Sequence, residues 1–226
     1  MKKLFLPVLL ALALPVTFSC NSSRLASYLL TEGDAAMAIR QLLELGSKEN
    51  MTGAFNKEQV LYTIFPQQVS KALNTLNMLG LTTEVDRFTT TLSTAAEKTA
   101  TASVPIFVNS INNLKFADAV RIIKKGGTAA TDYLRTSAGD TLRRSIAPIM
   151  KATIAEYKLN DQWNKIMKPV QSITGNKVNV DLANLMAGLV AESMFRKIAE
   201  KEVAVRSQAA ARTTTLLQKV FSRSWN

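Results

Sequence analysis

The sequence contains no histidine and only one cysteine among its 226 residues. The absence of histidine excludes Ser-His-Asp triads, Cys-His dyads and histidine-ligated zinc or haem. One cysteine excludes an intramolecular disulfide and any thiolate cluster. Glycine and proline are scarce, with 9 and 6 residues, and aromatic residues make up 7% of the chain. This composition disfavours β-sandwiches and parallel-sheet enzymes and favours an all-α protein.

The N-terminus has the pattern of an export signal. Lys2 and Lys3 precede an apolar run over residues 4–16. A transmembrane helix needs about 20 predominantly apolar residues, so this run is too short to span a membrane. Basic residues followed by a short apolar segment are typical of a signal peptide, which we predict over residues 1–19.

The single cysteine lies directly after this segment. Residues 17–20 resemble the lipobox of bacterial lipoproteins, because small Ser19 precedes Cys20, although Thr17 and Phe18 depart from the usual pattern. The resemblance implies cleavage before Cys20 and lipidation of its thiol, with residues 20–30 as the lipidated tether. The alternative is a soluble periplasmic or secreted protein with a free thiol, which is a liability in an oxidising compartment.

A lipidated Cys20 predicts a protein that is anchored to a membrane and does not span it. Two or more acyl chains are enough for stable attachment. The residue after the cysteine is Asn21 and not the Asp that favours inner-membrane retention in enteric bacteria. We therefore expect the periplasmic face of the outer membrane. Loss of Lys2 and Lys3 would lower the formal charge from +11 to +9.

Residues 31–226 are predicted to form one all-helical domain, a bundle of about eight helices. Apolar residues recur at three- and four-residue steps, Thr31 and Asp34 are placed as a capping box, and Gly46 is predicted to end the first helix. Pro105 either kinks or restarts a helix, and Gly139 either bends or interrupts one. The predicted helices cover residues 31–45, 57–62, 66–79, 82–102, 116–124, 128–157, 161–173, 180–206 and 208–221. The broad apolar spread of 180–206 indicates a central helix.

Two blocks, residues 116–150 and 209–221, resemble a bacterial family known as domain of unknown function 4197. The matching residues are Gly127, Ala129, Ala130, Thr131, Tyr133, Leu134, Arg135, Pro148 and Ile149 in the first block, and Ala210, Ala211, Arg212, Thr213 and Thr214 in the second. The resemblance covers residues 30–221 and is weak before Pro66. It implies an all-helical, exported and often lipid-anchored bacterial protein, and it implies no established activity.

Charged residues around the first block form a candidate binding surface. Asp132 and Arg135 are three residues apart on one helix, and Arg143 and Arg144 follow two turns later, so they could bind an anion or a carboxylate. The alternative is solvated helix-surface charge. The segment 126–128, Gly-Gly-Thr before a helix, could bind an anion but is better explained as a helix cap.

Arg212 and Thr213 extend this candidate surface at the C-terminal end of the chain. With Thr214 they form a polar triplet that either packs into a cleft or supplies capping hydroxyls. The acidic residues Glu200 and Glu202 have no histidine partner and no metal-ligand spacing, so we expect both on the surface. The sequence gives no pattern for a metal or a cofactor.

The basic charge does not indicate nucleic-acid binding, because the basic residues are dispersed and no recognition-helix or stacking pattern accompanies them. In an exported protein, an envelope protein, an anionic lipid or an anionic polymer is the expected partner.

Three functions remain open. The first is a non-enzymatic binding or scaffold module, and the second is a carrier of a lipid or another amphiphile, suggested by the broad apolar faces of the helices that begin at residues 82 and 180. The third is a hydrolase that uses only carboxylates, Asp132 with Glu156 or Asp161. We favour the first.

Overall fold

The computed structural model describes residues 30–56, 82–174 and 181–222, together with single positions between 57 and 81. These residues form an all-helical domain, as predicted. Its α-helices, numbered in chain order, are α1 (Glu32–Ser47), α2 (Thr82–Asn113), α3 (Ala119–Lys125), α4 (Ala129–Glu156), α5 (Leu159–Thr174), α6 (Leu182–Ser207) and α7 (Thr215–Phe221), with a 3₁₀ turn at Ala209–Ala211.

Helix α1 begins with the predicted capping box. The Thr31 hydroxyl accepts a hydrogen bond from the Asp34 amide at 3.0 Å, and the Asp34 carboxylate accepts one from the Thr31 amide at 3.3 Å. The helix passes through Gly46, its predicted end, and finishes at Ser47. A Cβ atom at Gly46 would lie 2.7 Å from the Cα of Ile198. Gly46 therefore allows α1 to approach α6 closely and does not end the helix.

Helix α6 is the central element of the bundle, as its apolar pattern predicted. It packs against α1, α2 and α4. The Phe195 ring lies edge-on to Phe107 of α2, with ring centroids 5.4 Å apart. The side chains that α6 buries include Met186, Val190, Met194, Phe195 and Ile198.

Helices α2 and α4 are each continuous over more than seven turns, although both contain a proline. A restart at Pro105 and an interruption at Gly139 were both predicted as alternatives, and the structure excludes them. The two helices pack against each other, and the buried Thr99 hydroxyl of α2 lies 3.2 Å from the Thr153 hydroxyl of α4. Packing along their length outweighs the local cost of a missing amide donor or a glycine.

The C-terminal segment differs from its prediction, because residues 208–221 form a 3₁₀ turn and a short helix and not one continuous helix. Most residues of the predicted helices over 57–62 and 66–79 lie outside the described residues, as do the signal peptide, Cys20 and the tether up to residue 29. Within the described residues, no helix is both long enough and apolar enough to cross a membrane.

Candidate functional site around α3, α4 and the end of α6

The first turn of α4 is capped by a carboxylate from α6. Gly126 and Gly127 both have positive φ angles, 72° and 56°, so they form the turn that starts α4. The amides of Ala130 and Thr131 donate to the Glu202 carboxylate at 3.0 and 2.8 Å, and the Thr131 hydroxyl donates to it at 2.7 Å. These amides face a residue of the chain itself, as the capping interpretation predicted, although Glu202 and not Thr128 supplies the cap.

Glu202 is itself held by Arg206, one turn later on α6. The Arg206 Nε and Nη2 atoms donate to Glu202 Oε1 at 3.0 and 2.8 Å. The same guanidinium donates to the Ile123 carbonyl at 2.9 Å, and its centre lies 5.2 Å from the Phe221 ring centroid. Through the Glu202–Arg206 pair, α6 therefore contacts three other elements: the end of α3, the start of α4, and α7.

The prediction that Glu202 lies on the surface is wrong, because its side chain is fully buried. Glu200, which was also predicted to lie on the surface, is exposed and forms an ion pair with Lys197 at 3.0 Å. A signal for the difference is present in the sequence. Glu202 falls four residues after buried Ile198 and three before buried Val205, on the apolar stripe of α6. An acid on an apolar stripe needs a partner inside the protein.

Two residues of the polar triplet near the C-terminus, Arg212 and Thr214, cap helix ends. The Arg212 guanidinium donates to the carbonyls of Val205 and Arg206 at 2.9 and 3.0 Å, so it caps the end of α6. Thr214 accepts from the Leu217 amide at 3.2 Å and caps α7. Thr213, between them, is exposed. The caps explain why the chain breaks into two short elements here.

Asp132 and Arg135 meet on the outer face of α4. Their ion pair spans 3.5 Å, and Arg135 also lies 3.4 Å from the Glu192 carboxylate of α6. The Arg135 guanidinium centre is 4.9 Å from the Phe195 ring centroid. Asp132 additionally accepts from the Thr128 hydroxyl at 3.1 Å. Arg135 therefore binds three groups while 40% of its side chain stays exposed.

Arg143 and Arg144 both interact with Asp140 in the middle of α4. The Arg143 guanidinium pairs with the Asp140 carboxylate, and the Arg144 Nε donates to the Asp140 carbonyl at 3.3 Å. Both arginine side chains are exposed. Exposed pairs of this kind contribute little to stability, so little free energy would be lost if either arginine exchanged Asp140 for a binding partner.

Two grooves run along the exposed face of α4 and meet at Thr136. The α3–α4 groove has a volume of about 680 Å³ and is lined by Arg121, Ile122, Lys124, Lys125, Ala129, Asp132, Tyr133 and Thr136. The α4–α6 groove has a volume of about 400 Å³ and is lined by Arg135, Thr136, Ser137, Ala138, Gly139, Asp140, Thr141, Arg143, Ala191 and Glu192. The predicted residues Asp132, Arg135 and Arg143 thus share one surface, whereas Arg144, Arg212 and Thr213 line neither groove.

The carboxylates considered for hydrolysis do not share a cleft. Asp132 and Glu156 lie 24 residues apart on α4, which corresponds to about 36 Å along the helix. Asp161 follows Glu156 by five residues, so its Cα lies at least about 17 Å from that of Asp132. Paired catalytic carboxylates of glycosidases lie within about 10 Å.

Glu156 is instead engaged in a surface ion pair with α2. Its carboxylate oxygen Oε2 accepts from Lys98 Nζ at 2.7 Å, and this hydrogen bond raises the pKa of the Lys98 ammonium. In the part of the chain that the structure describes, no group of three or more acidic, histidine or cysteine side chains could hold a metal ion.

The broad apolar faces that suggested a lipid carrier are internal. Val85, Phe88 and Leu92 of α2 are buried, as are Val190 and Met194 of α6, and all of them belong to one hydrophobic core. These faces are therefore covered by neighbouring helices and do not line a lipid site.

A family model described as "Protein of unknown function (DUF4197)" matches residues 29–222. The chain belongs to this family. The match confirms the resemblance seen in the sequence. Searches of the curated proteins and of the solved structures find no match. In this DUF4197 member, the Glu202–Arg206 pair connects the two blocks that carry the resemblance, since Arg206 contacts Ile123 in the first and Phe221 in the second.

Proposed function

We propose that this DUF4197 protein is a bacterial envelope lipoprotein, anchored through Cys20 to the periplasmic face of the outer membrane, where it acts as a non-enzymatic binding or scaffold module. The observation that carries the proposal is the position of the only cysteine, directly after a signal-peptide pattern and a small residue. Lipidation turns a thiol that would be a liability into an anchor.

The binding role rests on the outer face of α4. Asp132, Arg135 and Arg143 present charges of both signs along two adjoining grooves, and the exposed Arg144 follows Arg143 on the same helix. Exposed arginines bind carboxylates and phosphates in a planar, bidentate manner. Among the candidate catalytic carboxylates, Asp132 lies far from Glu156 and from Asp161, and both Asp132 and Glu156 are engaged in ion pairs. A surface that recognises a charged envelope component fits this arrangement better than an active site.

The proposal is tested by the intact mass and the membrane fractionation of the native protein, compared with a Cys20→Ala variant in the producing cell. We expect the native protein in the outer-membrane fraction with a lipid-sized mass increase and without residues 1–19. The Cys20→Ala variant should lack this mass increase. A Ser22→Ala variant, altered two residues further along the tether, should behave like the native protein.

An unmodified, soluble native protein would contradict the anchor. The binding role is checked in the same membranes by crosslinking and affinity purification. We expect a specific partner that is lost when Arg135→Ala and Arg143→Ala are combined. Recovery of no specific partner with the native protein would contradict the binding role while leaving the anchor intact.

A further inference from the structure

The lipid anchor proposed above would enter the folded domain beside α3. The Glu32 carboxylate, in the first turn of α1, accepts a hydrogen bond from the Val120 amide of α3 at 3.3 Å. Leu30, the first residue of the described part, lies ten positions after Cys20. Such a segment spans at most about 35 Å. An anchored Cys20 therefore keeps the start of α1, and α3 beside it, within about 35 Å of the membrane surface.

The α3 side of this entry point is basic. Residues 114–125 contain four basic side chains and one acidic side chain, Asp118. Arg121 pairs with Asp118 at 3.3 Å, and this pair is exposed. Lys124 and Lys125 are exposed, and neither has an ion-pair partner among the residues that the structure describes. The basic α3 face is defined here as Lys115, Arg121, Lys124 and Lys125.

The two lysines have no capping task at the end of α3. Lysines in a last turn often interact with the free carbonyl groups of the helix. Here the Ile123 carbonyl accepts from Arg206 at 2.9 Å and from the Gly126 amide at 3.2 Å. Arg206 also lies 3.4 Å from the Ile122 carbonyl. Because the partly buried Arg206 already caps the end of this helix, the lysine charges are directed to solvent.

The acid in the adjoining groove does not neutralise these lysines. Asp132 faces the α3–α4 groove, but its carboxylate is bonded to Arg135 and to the Thr128 hydroxyl. The groove therefore combines an excess of positive charge with a wall formed by Tyr133 and Ile122. That combination suits a phosphate group carried on a larger, partly apolar molecule.

We propose that the basic α3 face docks on anionic phospholipid headgroups of the membrane that holds the anchor. This inference rests on the proposed lipoprotein function and adds an electrostatic attachment and an orientation to it. Each basic residue near an anionic surface strengthens membrane binding by about fivefold, and the attraction is screened by salt. The acyl chains would hold the protein at the bilayer. The basic α3 face would orient the domain so that the α3–α4 groove faces the membrane surface.

The test uses the mature chain, residues 20–226, with Cys20→Ala, so that binding is measured without acyl chains. Vesicles of phosphatidylcholine with about 30% phosphatidylglycerol, which carry an anionic surface, are compared with pure phosphatidylcholine vesicles by cosedimentation. We expect binding to the anionic vesicles only, and its loss at high salt. Combining Lys124→Gln with Lys125→Gln should weaken it by about 10- to 30-fold.

A matched control removes the same charge elsewhere. Lys151→Gln combined with Lys165→Gln alters two exposed lysines on α4 and α5. Lys151 lies about 33 Å along α4 from its first residue, at the end remote from α3. The control variant should bind within about threefold of the parent. Equal weakening in both variants would show a diffuse charge effect and overturn the assignment to α3.

Orientation is measured with one label in this otherwise cysteine-free chain. Ala117 lies just before α3 and Ala155 near the end of α4, and both are exposed. An environment-sensitive fluorophore on Ala117→Cys should report a less polar surrounding when anionic vesicles are added, whereas the same fluorophore on Ala155→Cys should not. The reverse result would overturn the proposed orientation. Far-UV circular dichroism verifies that every variant is folded.

Free glycerol phosphate at matched ionic strength separates a membrane surface from a soluble phosphate ligand. We expect it to leave vesicle binding unchanged, and specific displacement would overturn the assignment to the membrane. The outcome is independent of the mass measurement on Cys20. Vesicle binding without lipidation in the cell would contradict the proposed anchor alone, and lipidation without vesicle binding would contradict the α3 docking alone.

Discussion

At the residue scale, the clearest feature of the protein is a buried acid that joins distant segments. Glu202 accepts three hydrogen bonds from the start of α4, about 70 residues earlier in the chain, and pairs with Arg206. The sequence shows an acid on the apolar stripe of α6, four residues before a base. The missing information is the long-range partner, Thr131, because no local pattern specifies which helix start a buried carboxylate will cap.

The burial of Glu202 predicts a large cost when it is removed. Glu202→Ala leaves the Ala130 and Thr131 amides and the Arg206 guanidinium without their main acceptor. We expect the free energy of unfolding to fall by about 3–5 kcal/mol, measured by urea denaturation. Glu200→Ala is the matched control, because it removes an exposed acid from the same helix, and it should cost less than about 1 kcal/mol. Similar costs for the two variants would show that the capping network contributes little to stability.

At the element scale, the sequence predicted the helices better than their breaks. The capping box at Thr31 and the apolar periodicity placed α1 and α6 within about two residues of their observed ends. The breaks considered at Pro105 and Gly139 are absent, and α1 continues one residue past Gly46 before it ends. A glycine or proline disfavours a helix by about 1–3 kcal/mol, and burial of an apolar face along a long helix exceeds that cost. The local sequence pattern shows the residues that disfavour a helix, but it does not show the neighbouring helices whose packing compensates for them.

Gly46 and Gly188 allow the packing role of a helical glycine to be tested. Gly46→Ala would place a Cβ atom 2.7 Å from the Ile198 Cα, so α1 and α6 would have to separate. We expect a loss of about 1–3 kcal/mol in the free energy of unfolding. At Gly188, the nearest atom to an added Cβ is the Arg143 Cδ at 3.8 Å, an ordinary contact. Gly188→Ala should therefore stabilise the protein by up to about 1 kcal/mol through helix propensity. A stabilising Gly46→Ala would contradict the close approach of the two helices.

At the scale of the whole molecule, the two ends of α4 are linked by a shared core. The Glu202–Arg206 pair lies at its start, and Trp163 of α5 lies near its end, where the indole packs on Phe88 of α2 with ring centroids 5.6 Å apart. Helix α2 packs against α1, α4, α5 and α6. The family resemblance was predictable from two motif blocks in the sequence, and the all-α class was predictable from the amino-acid composition. The assembly of the grooves along α4 was not, since it depends on how α3 and α6 flank that helix.

This shared core predicts that the domain unfolds in one cooperative step. Trp163 is a reporter for the α2–α5 end when Trp225→Phe removes the second tryptophan of the chain. Its fluorescence and the helical circular dichroism should give the same urea midpoint, because α2 connects the Trp163 end to α1, α4 and α6.

In the Glu202→Ala background, both midpoints should fall together, although the substitution lies at the other end of α4. If Trp163 kept its midpoint while the circular dichroism shifted, the α5 end would unfold independently of the helices held by the Glu202–Arg206 pair. Coincident shifts would instead mean that a defect at the capping network destabilises the whole bundle, including the groove surface on α4.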